Sequence, residues 1–430
     1  MKKEILEHIE NLNLPQLKQG FETLSTEQCR EFLVQLRKYP LDLLTQQRHF
    51  LTHPTSPIAA TAPWQNAHFS GSLEDRQRGE ELLSQGKAAC LILAGGQGSR
   101  LNQGPKGFIP ATAIKKKSLL QFFCERVRAA SQRYGQKLPL CIMTSPLNHT
   151  EIEAFLNARR FFGLAIDQVI LFEQSTLPFV EDSGNWLLEK PGKLAEGPAG
   201  NGEALERMHT LGILKEWQDK GIDSLNAIFI DNPLADPFDA ELIGFHHRLQ
   251  LEVTAKAVQR ISAEEKMGVL ADIDGRLHIL EYSELPANAP SFPYLNTGLF
   301  CFSIPWVQHL YDTLKVTLPW HLARKTMGTT AIWKYEKFLF DLLALSKRTG
   351  ALIYPREESY APLKNATGDK SLETVSQALL HFDRKVFEGL SGKKLDVGTF
   401  ELDPVFYYPD EALKKKWKGQ SLKEGGYVIP

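Results

Sequence analysis

The stretch Leu91-Ile-Leu-Ala-Gly-Gly-Gln-Gly-Ser-Arg-Leu101, followed by Gly104-Pro105-Lys106-Gly107, decides the reading of this chain. It continues an apolar run, Ala88–Leu93, which predicts a strand buried on both faces. The run ends in Gly95, Gly96 and Gly98. Glycines there admit backbone conformations closed to other residues, and their N–H groups can approach a phosphate chain with no side chain between. Arg100 and Lys106 bring fixed positive charge to the same place. On these residues alone, a glycine-rich turn that merely reverses the chain also fits. The order is G-G-x-G-x-R, so this is neither the G-x-x-x-x-G-K-[ST] loop nor the G-x-G-x-x-G fingerprint.

Downstream, short apolar runs alternate with amphipathic stretches. Helices are predicted over Ser118–Tyr134, Glu151–Phe161, Glu203–Asp219 and Asp239–Leu249, and strands within Leu138–Thr144, Val169–Phe172, Ala227–Ile230 and Val253–Val258. Such alternation predicts an α/β fold, with a parallel sheet covered on both faces. Met267–Ser283 reads instead as an antiparallel hairpin turning at Asp274-Gly275. Upstream, residues 1 to about 48 carry helical periodicity. Residues 51–64 form a connector rich in Pro, Thr and Ala, and a helix over Leu73–Gln85 leads into the first strong strand. The expected organisation is a helical N-terminal region and connector over 1–75, a catalytic domain over 76–384 and a small C-terminal β-rich appendage over 385–430.

The chain has 430 residues, 43% of them hydrophobic, enough for one large core or two modest ones. Lys and Arg number 50 against 51 Asp and Glu. That balance lacks the basic excess of a nucleic-acid binder, so no nucleic-acid partner is expected. The five cysteines are scattered, with no C-x-x-C pair, and read as buried thiols in a reducing compartment. The first residues, MKKEILEHIENLNL, read as neither a signal peptide nor an anchor, and no long apolar run predicts a membrane span. A cytoplasmic protein with no membrane partner is expected. The twelve histidines form no ligand pattern, and His246-His247 is read as the surface of a helix.

The L-A-G-G-x-G-[ST]-R-L…P-K order is similar to the signature of sugar-nucleotide pyrophosphorylases. From about Gly86 to Leu380 the chain resembles, block by block, the eukaryotic-type UDP-N-acetylhexosamine pyrophosphorylases of the wider UDP-sugar pyrophosphorylase group. The blocks are Ile142-Met-Thr-Ser145, Phe161-Phe-Gly-Leu164, Val169-Ile-Leu-Phe-Glu-Gln174, Gly200-Asn-Gly202, Ile230-Asp-Asn232, Leu280-Glu-Tyr-Ser-Glu284, Leu295-Asn-Thr-Gly298, Lys334-Tyr-Glu-Lys-Phe-Leu-Phe340 and Arg356-Glu-Glu-Ser-Tyr-Ala-Pro-Leu-Lys-Asn365. The resemblance implies a Rossmann-like, mixed but mostly parallel sheet of the nucleotide-diphospho-sugar transferase, GT-A-like kind.

It also implies roles. Leu93, Ala94, Gly95 and Gly96 would wrap the uridine and its phosphates at a strand end, where such sheets bind ligands. Gln174 would read the uracil edge, an amide offering both a donor and an acceptor. Gly200 and Asn201 would contact base and sugar, although Ala199 and Glu203 stand where the family has Asp and Gly. Glu281, Tyr282 and Asn296 would line the sugar pocket; Leu299 replaces a second family asparagine there. Lys334 and Lys364 would reach the phosphates, Lys364 nearer the reaction centre. Asp231, at another strand end, would hold Mg²⁺ on the nucleotide. Read by itself, its Asp-Asn-Pro setting would equally suit a turn cap.

The implied reaction joins UTP to N-acetylglucosamine 1-phosphate or a related sugar 1-phosphate, with Arg100, Lys106 and Lys364 as catalytic cations. Two alternatives stay open on the sequence: a UDP-glucose or broad UDP-sugar pyrophosphorylase, and a non-catalytic UDP-sugar sensor.

Overall fold

The computed structural model of the chain describes residues 1–53, 62–98, 104–282, 284–285, 291–422 and 426–430. It forms two compact units. The smaller is assembled from Met1–Ile58, Ser175–Glu203 and Leu318–Phe338, the larger from Ala59–Gln174, Ala204–Thr317 and Leu339–Pro430.

The larger unit is built on a sheet of eleven strands among the described residues. Along the chain these are β1 (Ala62–Pro63), β2 (Ala67–Phe69), β3 (Ala88–Leu93), β4 (Leu140–Thr144), β5 (Val169–Glu173), β6 (Ser224–Phe229), β7 (Val253–Gln259), β8 (Val269–Ile273), β9 (Arg276–Leu280), β10 (Tyr294–Ser303) and β11 (Thr349–Tyr354). The main path runs β2-β11-β7-β10-β6-β3-β4-β5. Every pairing on it is parallel except the two made by β10, which lies antiparallel between β7 and β6. The sheet is therefore mixed and mostly parallel, as the resemblance implies; the alternating pattern predicts its parallel strands but not the antiparallel β10. The hairpin β8–β9 hangs beside this path and turns at Asp274 (φ 52°) and Gly275 (φ 76°). Two positive φ angles in a two-residue turn match the Asp-Gly preference that marks it in the sequence.

All residues of β3 and β4 are buried, the outcome their unbroken apolar runs require. Helix Leu119–Tyr134 begins at the Ser118 cap, whose side chain accepts from the Gln121 N–H, and stops at Gly135 (φ 65°). It buries Leu119, Leu120, Phe122, Phe123 and Val127 in the main core. A capping box between Ser72 and Asp75 starts helix Leu73–Ser84. That helix meets Ala240–Arg248 so closely that a β-carbon on Gly79 would overlap the Ala240 carbonyl, and one on Gly244 that of Asp75.

Four expectations need amendment, one of them the helix expected over Glu151–Phe161, which ends at Ala158. The single helix over Glu203–Asp219 is two, Ala204–Thr210 and Ile213–Asp219, interrupted at Gly212 (φ 76°). His246 is buried rather than superficial. Its Nδ1 lies 2.9 Å from the Thr254 hydroxyl, and burial pulls its pKa down to about 3, so the ring is neutral. The chain after 385 is less β-rich than its turn signals suggest. A helix over Leu372–Ser391 and another over Glu411–Trp417 accompany two two-residue strands, Glu401–Leu402 and Tyr427–Val428. A core of Phe387, Phe400, Phe406 and Leu413, rather than a ladder, holds that part together.

In the smaller unit, helices Lys2–Asn11, Thr26–Arg37 and Leu43–Thr52 share a core with Trp186 and Tyr335. Gln47 ties that core: its side-chain oxygen accepts from Trp186 Nε1 and its carbonyl from the Tyr335 hydroxyl, each at 2.7 Å. All five cysteines are buried and free. Among the described residues no helix is long and apolar enough to cross a membrane.

Candidate active site

β3, β4, β5 and β6 run parallel as neighbours, so their carboxyl ends lie side by side. Ligands bind outside such ends in open α/β sheets. Leu93 closes β3, and Ala94 continues its ladder, donating its N–H to the Met143 carbonyl at 2.7 Å. The Ala94 carbonyl accepts from Asn148 Nδ2 at 3.0 Å, and Asn148 Oδ1 accepts from the Ser145 N–H at 2.8 Å. A buried asparagine from the next βα loop thus fixes the first residue of the glycine segment.

Gly95 follows, and its missing side chain is what lets Gln174 in. A β-carbon there would fall inside contact distance of Gln174 Nε2. Gln174, 6% exposed, continues β5 by donating its N–H to the Thr144 carbonyl at 3.0 Å. Its side-chain amide is thereby aimed across the strand ends at the glycine segment. Gly96 accepts from the Lys106 N–H at 3.3 Å, and Gly98 (φ 59°) is so close to Gly104 that a β-carbon would stand 2.7 Å from its carbonyl oxygen. Gly104 thus lies against Gly98, and Lys106 reaches the strand ends. Arg100 lies outside the described residues.

Lys106 Nζ donates to Asp231 Oδ2 at 2.8 Å, and both side chains are largely buried. Asp231 lies two residues beyond β6, so the pair joins the glycine segment to the neighbouring strand end. The Asp231 carbonyl accepts from the Leu363 N–H at 2.7 Å, which brings the Lys364 segment to the same corner. Lys370 is beside Lys364 in turn: the N–H groups of Lys364 and Asn365 both donate to its carbonyl, at 2.8 and 3.0 Å. Burial, opposed by Asp369 and helped by Lys364, holds the Lys370 ammonium below its usual pKa. Among the described residues no three His, Cys, Asp or Glu side chains cluster as a metal cage.

Glu281 and Asn296 meet at a second corner of the larger unit. Asn296 donates its N–H to the Gly268 carbonyl at 2.8 Å, while a β-carbon on Gly268 would stand 3.4 Å from Glu281 Oε1. Asn296 sits at a bulge where Thr297 and Gly298 have no partner opposite, and its Oδ1 accepts from the Gly298 N–H at 2.9 Å. Its Nδ2 is the end of the amide not used by that turn. Tyr282 is 46% exposed. In the smaller unit, Gly200 (φ 96°) and Gly202 close on the Lys337 backbone; Gly202 donates to its carbonyl at 2.8 Å, with Asn201 between them. Lys334 Nζ is paired with Glu336 at 2.7 Å, and Glu203 with Lys337 at 3.3 Å.

The family model for UTP–glucose-1-phosphate uridylyltransferase matches residues 52–402, most of the chain and both corners just described. The chain belongs to that family. It is 30% identical over 410 residues to a UDP-N-acetylhexosamine pyrophosphorylase-like protein 1 from Xenopus tropicalis, covering 84% of this chain and 80% of the relative. It is 31% identical over 339 residues to UDP-N-acetylglucosamine diphosphorylase 2 from Arabidopsis thaliana, covering 71% and 68%. A crystal structure of a putative UDP-N-acetylglucosamine pyrophosphorylase from Entamoeba histolytica matches with a TM-score of 0.76 and 26% identity, covering 86% of this chain and all of that one.

Within this member of the uridylyltransferase family, three residues around the first corner escape a reading of sequence alone: Asn148, Asn232 and Lys370. Asn148 and Asn232 are amides that bind backbone rather than ligand, and Asn232 finds its partners more than a hundred residues downstream. Lys370 had one available signal, its closeness in sequence to Lys364.

Proposed function

We propose that this uridylyltransferase joins UTP to N-acetylglucosamine 1-phosphate, yielding UDP-N-acetylglucosamine and pyrophosphate. The carrying observation is the corner where Gly95, Gln174, Lys106 and Asp231 converge at the ends of parallel strands. The hexosamine is favoured over glucose by the likeness to relatives named for N-acetylhexosamine and N-acetylglucosamine.

The reaction is an in-line displacement in which a phosphate oxygen of the sugar 1-phosphate attacks the α-phosphorus of UTP. The nucleophile is already ionised at neutral pH, so no general base is needed. The barrier is repulsion between anions, and cations with backbone donors lower it. Gln174 pairs with the uracil edge, and the N–H groups of Gly95 and Gly96 face the phosphates. Lys106 exchanges its carboxylate partner for phosphate oxygens, assisted by Arg100 and Lys364. Glu281, Tyr282 and Asn296 bind sugar hydroxyls and the acetamido group.

The donor set fits magnesium. Mg²⁺ is held by one or two carboxylates plus substrate phosphates rather than by an all-protein cage, and Asp231 is such a hard oxygen ligand at a strand end. Bound there, Mg²⁺ would supply charge neutralisation on the phosphates. The five reduced, buried thiols support a cytoplasmic location.

The test is pyrophosphate release with UTP, Mg²⁺ and a panel of N-acetylglucosamine, N-acetylgalactosamine and glucose 1-phosphates. The N-acetylglucosamine substrate should give the highest kcat/KM; a glucose preference would overturn the sugar assignment. Binding of UDP-sugars without pyrophosphate release would overturn catalysis.

A further inference from the structure

The Lys364 segment has no regular secondary structure between Tyr360 and Asn365, yet it must hold a flexible lysine at the reaction corner. Two neighbouring residues after β6 do the holding. The Asp231 carbonyl takes the Leu363 N–H at 2.7 Å. The Asn232 side chain takes the rest: its Oδ1 accepts from the Ala361 N–H at 3.0 Å, and its Nδ2 donates to the Ser359 carbonyl at 2.8 Å. Asn232 is 1% exposed, and its own N–H is occupied by the Phe229 carbonyl at 3.2 Å. Every polar end of this buried amide is therefore spent on backbone, and both side-chain bonds grip one short segment. The other end of that segment is closed by the Lys370 carbonyl.

We infer that Asn232 is a positioning residue that sets Lys364 against the phosphates by clamping residues 359–361. The inference rests on the reaction proposed above, with Lys364 as one of its cations. Only an amide serves here. One end must accept and the other donate; a carboxylate would face the Ser359 carbonyl with a second acceptor, and an apolar residue would leave the Ala361 N–H without this partner. The adjacent Asp231 faces Lys106 with its side chain. Residues 231 and 232 thus fix two cations far apart in the sequence, Lys106 and Lys364, relative to one another.

The test is a double-mutant cycle in the full chain: Asn232→Ala, Lys364→Ala and the pair, with kcat and KM for both substrates. Misplacing a catalytic group without removing it costs roughly ten- to a hundred-fold. Asn232→Ala should lower kcat by about that much while KM for UTP stays within about two-fold. Adding it to Lys364→Ala should slow turnover by no more than about two-fold further, because the group it positions is already gone. Effects that multiply in the double variant would overturn the inference, as would full turnover in Asn232→Ala. Wild-type turnover in Lys364→Ala would instead remove the reading beneath it. Hydrogen exchange gives a readout independent of activity: the Ala361 and Leu363 amides should exchange faster in Asn232→Ala, and unchanged protection would contradict the clamp. Should Asn232→Ala fail to fold, the uncharged Asn232→Thr supplies the same comparison, because one hydroxyl cannot span both the Ala361 N–H and the Ser359 carbonyl.

Discussion

The side-chain amide of Gln174 occupies the space that a β-carbon on Gly95 would need. The two residues lie 79 positions apart and at the ends of different strands, yet each defines the other: glycine is required so that the amide can reach the loop. Gly95→Ala should therefore leave the fold intact, because the displaced atom is the mobile tip of a side chain, but turn Gln174 away. KM for UTP should rise by about ten-fold or more, the cost of roughly one or two lost hydrogen bonds. Preference for UTP over CTP should shrink with it. Competition between the two nucleotides measures both.

Lys106→Ala and Lys364→Ala should fold normally and lose turnover by about 10²–10³, the usual cost of removing one donor that stabilises developing charge. Thermal melts and initial rates on the same preparations separate folding from chemistry. Normal rates in both would refute the cationic mechanism.

That corner shows how far sequence reading reaches. The strand, the glycine loop and Lys106 are legible because they are local: an apolar run, a glycine cluster and a Pro-Lys within twenty residues. Asp231 and Gln174 are legible as polar residues at the ends of apolar runs. The register of β10, antiparallel between parallel neighbours, is a long-range choice that periodicity does not encode. The smaller unit draws on three segments, Met1–Ile58, Ser175–Glu203 and Leu318–Phe338, and nothing local in any of them announces the others. Phe161 and Phe162 defeat local reading in another way. Both adopt positive φ, 52° and 53°, a conformation that bulky residues rarely take, and the Phe162 carbonyl is held by Arg128 Nη1 at 2.8 Å. The sequence pattern carries a helix through Phe161; the observed helix ends at Ala158, just before the run of positive φ that begins at Arg160.

The contact between helices Leu73–Ser84 and Ala240–Arg248 yields a stability prediction. At Gly79 and Gly244 the obstructing atoms are backbone carbonyls, which cannot step aside as a side chain can. Gly79→Ala or Gly244→Ala should destabilise by about 1–3 kcal/mol or more, as overpacking does. Denaturant unfolding would show it as a lower midpoint.

Asp383 gives a pH dependence. Burial is the chief cause that pushes its carboxyl up to about 7, against hydrogen bonds from the Tyr407 hydroxyl and the Leu402 N–H. Glu401 adds to the rise and Arg126 opposes it. The folded state then keeps a proton that the unfolded chain gives up near its ordinary value of 3.8. Stability from this group is full below that value, falls as pH rises, and levels off above about 7. Asp383→Asn should flatten the fall in Tm between pH 5 and 8, compared at roughly half-unit steps. An unchanged slope would contradict the assignment.

The central claim is that the Gly95–Lys106–Asp231 corner transfers a uridylyl group to a sugar 1-phosphate. Its most direct test is pyrophosphate release by the wild-type chain and by Lys106→Ala, with UTP, Mg²⁺ and N-acetylglucosamine 1-phosphate. The account predicts rapid release from the wild type and a loss of about 10²–10³ in the variant. No release from the wild-type chain with any sugar 1-phosphate, or equal release from both proteins, would contradict it.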